Sequence, residues 1–250
     1  MKMKFILNEP ALYLSDVNSL VIGDLHIGLE YELSRKGINL PKQTNMMLEK
    51  IQSLIKKTNA DNLIILGDIK HQVPGISYTE ENDIKHFFET LQRKVKISVC
   101  LGNHDTFLKK ILSSRKIKLY SSRGFKIKDY GFFHGHAWPR KDLFKCKYLI
   151  SSHIHPTILF LGKFGHRITE PVWIKFKLDT KKIEKKYDIK NKGLEMIIVP
   201  AFNRLLSGSN INVSKIKEDL DPLLSDLVIK EETEFYLLDG TYLGRLKDIG

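Results

Sequence analysis

The chain has 250 residues, 42% hydrophobic and 28% charged, the composition of a soluble globular protein able to bury a sizeable core in one domain over residues 1–250. Its net charge of +12 admits anionic partners, but lysines spread along the whole chain favour a polyanionic substrate only slightly. No stretch approaches the roughly 20 apolar residues of a membrane span, and two isolated cysteines, Cys100 and Cys146, argue against a disulfide framework and for a reducing, cytoplasmic location. In chain order, residues 5–7 and 11–14 predict a hairpin around Asn8-Glu9-Pro10, whose polar residues come too early for a signal peptide. Leu20-Val21-Ile22 predicts a short buried strand, followed by Gly23 and by Asp24 and His26. That i, i+2 spacing points both side chains one way if the backbone is extended. A helix follows over 43–57, with Met47, Ile51, Leu54 and Ile55 on one face. Residues 63–66 form an apolar run ending in Gly67-Asp68, and the capping-box pair Ser77 and Glu80 announces a helix buried through Ile84, Phe87, Phe88 and Leu91. A strand over 97–101 ends in Gly102-Asn103-His104-Asp105, and a short helix carries Phe107, Leu108, Ile111 and Leu112. From about 117 onward the pattern changes to strands: 125–128, 130–133, 148–150, 158–161, 172–178 and 194–199. Residues 179–192, rich in lysine and without an apolar period, predict a solvated connection. Asp239-Gly240 between apolar runs predicts a C-terminal hairpin over about 233–247. A βαβ-like first half and a strand-rich second half imply an α/β fold of two packed sheets with helices outside.

Five of the apolar strands end in short polar clusters: Asp24/His26, Asp68, Asn103/His104, His134/His136 and His153/His155. Clusters at the C-terminal ends of strands can be gathered by one sheet edge into one site. Asp, Asn and His without paired Cys suit Mn²⁺, Fe²⁺ or Zn²⁺. The donors outnumber the three or four that one metal takes, so two divalent metals sharing a bridging carboxylate account for them better.

Those residues resemble the calcineurin-like metallophosphoesterase superfamily. Its ordered motifs are D-x-H, G-D, G-N-H-[DE], a lone His and G-H-x-H. The chain has Gly23-Asp24-Leu25-His26, Gly67-Asp68, Gly102-Asn103-His104-Asp105, His134-Gly135-His136 and Ser152-His153-Ile154-His155 in that order. A narrower likeness, to archaeal SbcD-related and bacterial DNA-ligase-associated phosphoesterases, rests on Ile27-Gly28, Ile69-Lys70-His71 and Val199-Pro200-Ala201-Phe202-Asn203. The resemblance implies a four-layer metallophosphoesterase fold of two mixed sheets flanked by helices. It also implies that Asp24, His26 and His155 hold one metal, that Asn103, His134 and His153 hold a second, and that Asp68 bridges them. His104 would contact the substrate phosphate and assist the leaving oxygen. Two cations about 3.5–4 Å apart would make a bridging hydroxide available near neutral pH and clamp the phosphoryl oxygens, with Mn²⁺ the first expectation. Ser152 stands where the family usually has Gly, which raises the question of whether His153 is displaced.

Several neighbours admit two readings. Asp105 either orients the His104 ring or caps the next helix. His71 and His136 adjoin motifs and stand about even between a site role and an ordinary one. Arg140 can reach a phosphate bidentately or lie on the surface, and Asn203, with Phe202, lines the cleft or packs the core. The expected activity is phosphodiester hydrolysis, in nucleic acid or nucleotides. The alternatives are a small-molecule phosphomonoesterase or nucleotide hydrolase, and a non-catalytic scaffold with the same fold.

Overall fold

Apolar runs in this chain become strands whose alternate residues enter different layers, because side chains of a strand point to opposite faces. The computed structural model describes residues 2–112, 117–191, 193–213 and 227–248. Among them, β1 (Met3–Phe5), β2 (Leu12–Leu14), β3 (Ser19–Ile22), β4 (Asn62–Ile65), β5 (Lys96–Cys100) and β6 (Ile117–Tyr120) form one sheet in chain order. β1 to β3 pair antiparallel through tight turns, whereas β3 to β6 run parallel. Parallel neighbours need crossovers. These contain α1 (Leu29–Arg35) and α2 (Gln43–Thr58), then α3 (Tyr78–Leu91), then α4 (Leu108–Ile111).

The second sheet contains β7 (Phe125–Ile127), β8 (Tyr130–Phe132), β9 (Tyr148–Ser151), β10 (Pro156–Leu161), β11 (Arg167–Lys177), β12 (Glu195–Ile198) and β13 (Ser209–Asn210). Their spatial order is β13-β10-β11-β12-β9-β8-β7. The hairpin of β14 (Glu234–Leu237) and β15 (Tyr242–Arg245) joins through antiparallel pairing of β14 with β11. In this otherwise largely antiparallel sheet, β8, β9 and β12 are mutually parallel.

Three apolar layers result. Leu20, Ile22, Leu63, Ile65, Ile97 and Val99 pack outward against Ile51, Leu54, Ile84, Phe87 and Phe88 of α2 and α3. Their sequence neighbours Val21, Ile64, Leu66 and Cys100 point inward and meet Phe132, Ile150, Trp173, Ile197 and Val199 of the second sheet. Leu149, Ile174, Met196 and Ile198 face the far side, under Ile183 of α5 (Thr180–Tyr187). The chain is therefore a mixed α/β fold of two facing mixed sheets with helices outside. No described helix is long and apolar enough to cross a membrane.

The elements depart from expectation in several places, among them β6 and β13, which were not expected, and β11, which starts at Arg167 rather than at 172. The first strand starts at Met3, so its pairing with β2 reaches back to Met3↔Leu14. Helix α1 lies where no helix was expected. Residues 179–192 include α5, whose N-terminus is capped by Asp179, its carboxylate accepting from the Lys181 and Lys182 amides at 3.0 and 3.1 Å. One fully buried residue, Ile183, anchors that helix, too few for a readable period.

Candidate metal centre

The parallel strands aim their C-terminal ends at one place from two sheets, rather than from one sheet edge. β3, β4 and β5 deliver Asp24/His26, Asp68 and His104 from the first sheet, and β8 and β9 deliver His134 and His153/His155 from the second. Backbone bonds stitch the ends together: the Asp24 amide donates to Gly67 O (3.1 Å), His26 to Asp68 O (2.8 Å) and Ser152 to His134 O (2.8 Å). From the end of β12, the Phe202 and Asn203 amides donate to Gly23 O (2.9 Å) and Asp24 O (3.2 Å).

The local backbone is not extended at these residues. Asp24 (φ 54°), His26 (41°), Asp68 (49°), His153 (79°) and His155 (44°) are all left-handed. Asp, Asn and His tolerate that region better than other non-glycine residues, at a cost of order 1–3 kcal/mol each. Each turn bends the chain straight after its strand, so the i, i+2 pairs converge by curling rather than by pleating. Such strain gathers where a site demands one geometry.

Two ligand groups result. In Asp24, His26 and His155, and again in Asp68, His134 and His153, one donor atom per residue lies within 4.8 Å of the others. His26 Nε2 is 3.5 Å from Asp68 Oδ2, His134 Nε2 is 3.3 Å from the same oxygen, and His155 Nε2 is 3.6 Å from Asp24 Oδ1. His153 Nδ1 faces His134 Nε2 at 3.1 Å. Asp24, His26, Asp68 and His134 are buried. His26 Nε2 and His155 Nε2 are buried without a hydrogen bond, which buried polar atoms rarely tolerate. Nitrogens left bare beside carboxylates fit divalent metals of the Mn²⁺, Fe²⁺ and Zn²⁺ type.

The surrounding bonds orient the rings. His134 Nδ1 donates to Leu66 O, so Nε2 is the nitrogen turned to Asp68 and the one that would ligate once deprotonated. Glu32 accepts from His71 Nε2 (2.7 Å), so in neutral His71 the other nitrogen accepts from His26 Nδ1 (3.2 Å) and His26 Nε2 is the free one. His104 Nδ1 donates to His71 O (2.7 Å), and the His104 amide donates to Asp68 Oδ1 (3.0 Å). His71 and His104 join His26 in a third compact group.

Charge follows these contacts. Burial pushes the Asp68 carboxyl up, but the His134 and His26 rings beside it outweigh that and hold it far below the carboxylate range. Burial likewise raises Asp24, and the His155 and His134 rings bring it below its ordinary value. Burial would lower His134, but Asp68 raises it to about 9. Burial, then the charge on His134, pushes His153 down to about 4. Burial outweighs Asp68 at His26, which is lowered, whereas Asp24 outweighs burial at His155, which is raised.

The remaining expected residues sort by contact. Asp105 neither orients the His104 ring nor caps α4. Its buried carboxylate accepts from Ile69 N (2.8 Å), Lys70 N (3.4 Å) and Gly102 N (2.8 Å), joining the second motif to the third. Burial, then the nearby Asp68 charge, pushes it up to about 6. Arg140 is exposed and doubly bound to Asp142 at 3.0 Å, a surface pair outside the ligand groups. Asn203 is buried, with Nδ2 donating to Leu25 O (2.9 Å) and Oδ1 accepting from Leu205 N (3.0 Å), so it braces the first motif. The His136 ring lies 5.2 Å from that of His134, and its Nδ1 is buried without a partner. Asn103 is exposed beside Gly102. A Cβ at Gly102 would run into the Asp68 carboxylate. Ser152 is built into the site: its hydroxyl donates to Leu66 O (2.8 Å), and the His153 amide donates to Asp24 Oδ2 (3.1 Å). Room for it comes from Gly23, where a Cβ would lie 2.7 Å from Ser152 Oγ.

Three supporting residues carried no sequence signal of their role. Glu80 was legible as a helix-start residue, and its amide does donate to Ser77 Oγ (3.2 Å). Its carboxylate, however, accepts from the His71 and Gln72 amides at 2.7 and 2.9 Å. Lys70 is fully buried, its amine donating to Gln72 O and to Gly75 O (2.8 Å), and burial lowers its pKa. Glu32 sits on α1, the helix that patterning did not reveal.

Among known proteins, the family profile described as calcineurin-like phosphoesterase matches residues 18–210. No curated protein sequence matches the chain. The solved nuclease MPE of Pseudomonas putida superposes with a TM-score of 0.60 at 17% identity, over 93% of this chain and 90% of that one. YfcE, a phosphoesterase of E. coli, superposes with a TM-score of 0.35 at 18% identity, over 56% of this chain and 71% of its own.

Proposed function

Because the chain belongs to the calcineurin-like phosphoesterase family, and so is a hydrolase acting on phosphate ester bonds, we propose that it cleaves phosphodiester bonds, in nucleic acid or nucleotides, with two divalent metal ions. The observation that carries this is the pair of ligand groups with bare, buried His26 and His155 nitrogens. Asp24, His26 and His155 would hold one ion, Asn103, His134 and His153 the other, with Asp68 between them. The donor set has no thiolate and suits Mn²⁺ first, Fe²⁺ or Zn²⁺ next. Such ions supply the positive charge that acidifies water and offsets the anionic phosphoryl group.

The protein's own groups do the rest. The Leu66 carbonyl and the Glu32–His71 pair hold the His134 and His26 rings with their ligating nitrogens outward. The His104 ring, fixed at Nδ1 by the His71 carbonyl, keeps Nε2 for the leaving oxygen, and its imidazolium form would give that oxygen the Nε2 proton as the ester bond breaks and return to the neutral ring. Asp105 is a positioning residue that keeps the His104 loop on the Asp68 loop. Buried free thiols at Cys100 and Cys146 suit the cytoplasm as the place of action. Within the family, we place the chain beside the SbcD-related and DNA-ligase-associated branches, and the fold it shares with a nuclease suits that placement.

A second reading, a hydrolase of small phosphate monoesters, is favoured by a cavity of about 410 Å³ lined by Tyr31, Arg35, His71 and His104, the size for one small ligand. Metal-stripped protein given Mn²⁺ separates the two on bis-p-nitrophenyl phosphate and p-nitrophenyl phosphate. Manganese-dependent hydrolysis of the diester, lost in His104→Ala, is expected. Preference for the monoester would transfer the conclusion to the second reading, and bound metal without any turnover would point to a scaffold.

A further inference from the structure

One element beside the metal-ligand cluster is built against the rules that shape the rest of the chain. β10 starts at Pro156, next to His155, and its far half leaves the core with β11. Residues 160–170 are exposed throughout. Along this arm Phe160 is 37% exposed, Leu161 72%, Ile168 56% and Phe164, at the turn, 98%. Phe164 is also left-handed, at φ 68°, a conformation that bulky residues avoid. A fully solvated ring held at that cost suits a contact outside the chain.

The neighbours say what kind of contact. Lys163, His166 and Arg167 are exposed around the ring, so the tip offers an aromatic face among cations. The ladder pairs Thr157↔Pro171, Leu159↔Thr169 and Leu161↔Arg167 share one face of the hairpin. The inner residues of that face line a groove of about 830 Å³ that also takes in His155, Asn203 and Asn210. By strand alternation the Glu170 side chain shares a face with Phe160 and Ile168, yet Glu170 also borders the groove, as do Asp239 and Arg204, so the cations of the track are those of the tip and Arg204. From Pro156 to Leu161, strand geometry spans about 17 Å, so groove and arm make one track leading away from His155.

We propose that the β10–β11 hairpin is a binding arm for single-stranded nucleic acid: Phe164 stacks on an unpaired base, Lys163 and Arg167 neutralise the adjoining phosphates, and the strand runs along the Leu161–Thr157 face to the cluster at His155. The inference rests on the phosphodiesterase reading and names its substrate class. An aromatic ring stacks only on a base face that pairing has not enclosed, and a stacking platform with flanking cations is how single strands are held without sequence preference.

The test uses the manganese-loaded enzyme on two substrates, oligo(dT) and bis-p-nitrophenyl phosphate. The small diester is far too short to reach from the cluster to the tip, so it reads the catalytic centre alone. Phe164→Ala is expected to raise KM for oligo(dT) about tenfold, with Phe164→Trp close to the parent. Arg167→Ala is expected to flatten the dependence of log KM on log salt by about 0.7, one phosphate contact on a single strand. Wild-type KM and salt slope in both variants, with oligo(dT) still cleaved, would overturn the arm and leave the phosphodiesterase reading standing. Hydrolysis of the small diester without cleavage of oligo(dT) would overturn the nucleic-acid substrate itself, and the arm with it. Altered sedimentation of Phe164→Ala with KM unchanged would assign the tip to contact between copies and overturn the proposal.

Discussion

The two ligand groups are built from similar residues and held in different ways. Around Asp68, His134 is sealed from solvent, anchored at Leu66 O and raised to about 9 by its carboxylate partner, while His153 is pushed down to about 4. Around Asp24, the Nε2 atoms of His26 and His155 lie buried without a hydrogen bond. A proton can hold the first group together through the His134–Asp68 pair. The second is held more loosely, with His155 Nε2 3.6 Å from Asp24 Oδ1 and His26 Nε2 3.5 Å from Asp68 Oδ2, and a cation among these donors would draw them together. Similar donors thus give one tightly held half and one looser half, because neighbouring carbonyls and charges, not the ligands themselves, decide how a ring is held.

The largest test of that contrast removes what both halves share. Asp68→Asn is expected to take manganese-dependent diester hydrolysis below detection and to abolish binding of a second equivalent of Mn²⁺ by calorimetry; near-parental turnover would sink the shared-carboxylate arrangement. His104→Ala leaves both groups intact, so kcat should fall about 10²–10⁴-fold with metal stoichiometry unchanged. Asp105→Ala strips acceptors from the buried Ile69 amide and the half-buried Gly102 amide and should cost roughly 2–4 kcal/mol in denaturant unfolding. A loss of activity without loss of stability would contradict its positioning role.

The contrast also has a pH signature in protein stripped of metal. His134, raised above its ordinary 6.5 to about 9, contributes stability that is fully present below pH 6.5 and is lost as pH rises through 9. His153, lowered from 6.5 to about 4, contributes stability present above 6.5 and lost as pH falls through 4. Stability should therefore peak near pH 6.5, with each limb worth roughly 1–3 kcal/mol, and Mn²⁺ should abolish the alkaline loss. An alkaline limb unchanged by metal would place the titration elsewhere. The smallest expected effect is Ser152→Gly, which forfeits one buried hydrogen bond to Leu66 O and should cost about 1 kcal/mol of stability with kcat within twofold of the parent.

Much of this was legible in the chain. Apolar runs ending in Gly-Asp, Gly-Asn-His or Ser-His located the strand ends, because a buried strand must be apolar and a donor must stand where the strand stops. What misled was local geometry. Asp24 and His26 were expected to converge by pleating, yet both are left-handed. Asp105 was expected to serve its neighbour His104 or the next helix, yet it binds amides 36 and 3 residues away. Helix α5 escaped because one buried residue, Ile183, makes no period.

The order and chemical type of the donors were settled by sequence alone, since residue identity decides what can ligate a divalent cation and strand-end position decides that the donors face one way. The tertiary structure alone decided which sheet each donor comes from, which ring nitrogen is left free and which acids serve as braces. Those properties depend on carbonyls and carboxylates such as Leu66 O, Glu32 and Glu80, which reach the site through space, and whose residues read in the sequence as ordinary strand and helix positions.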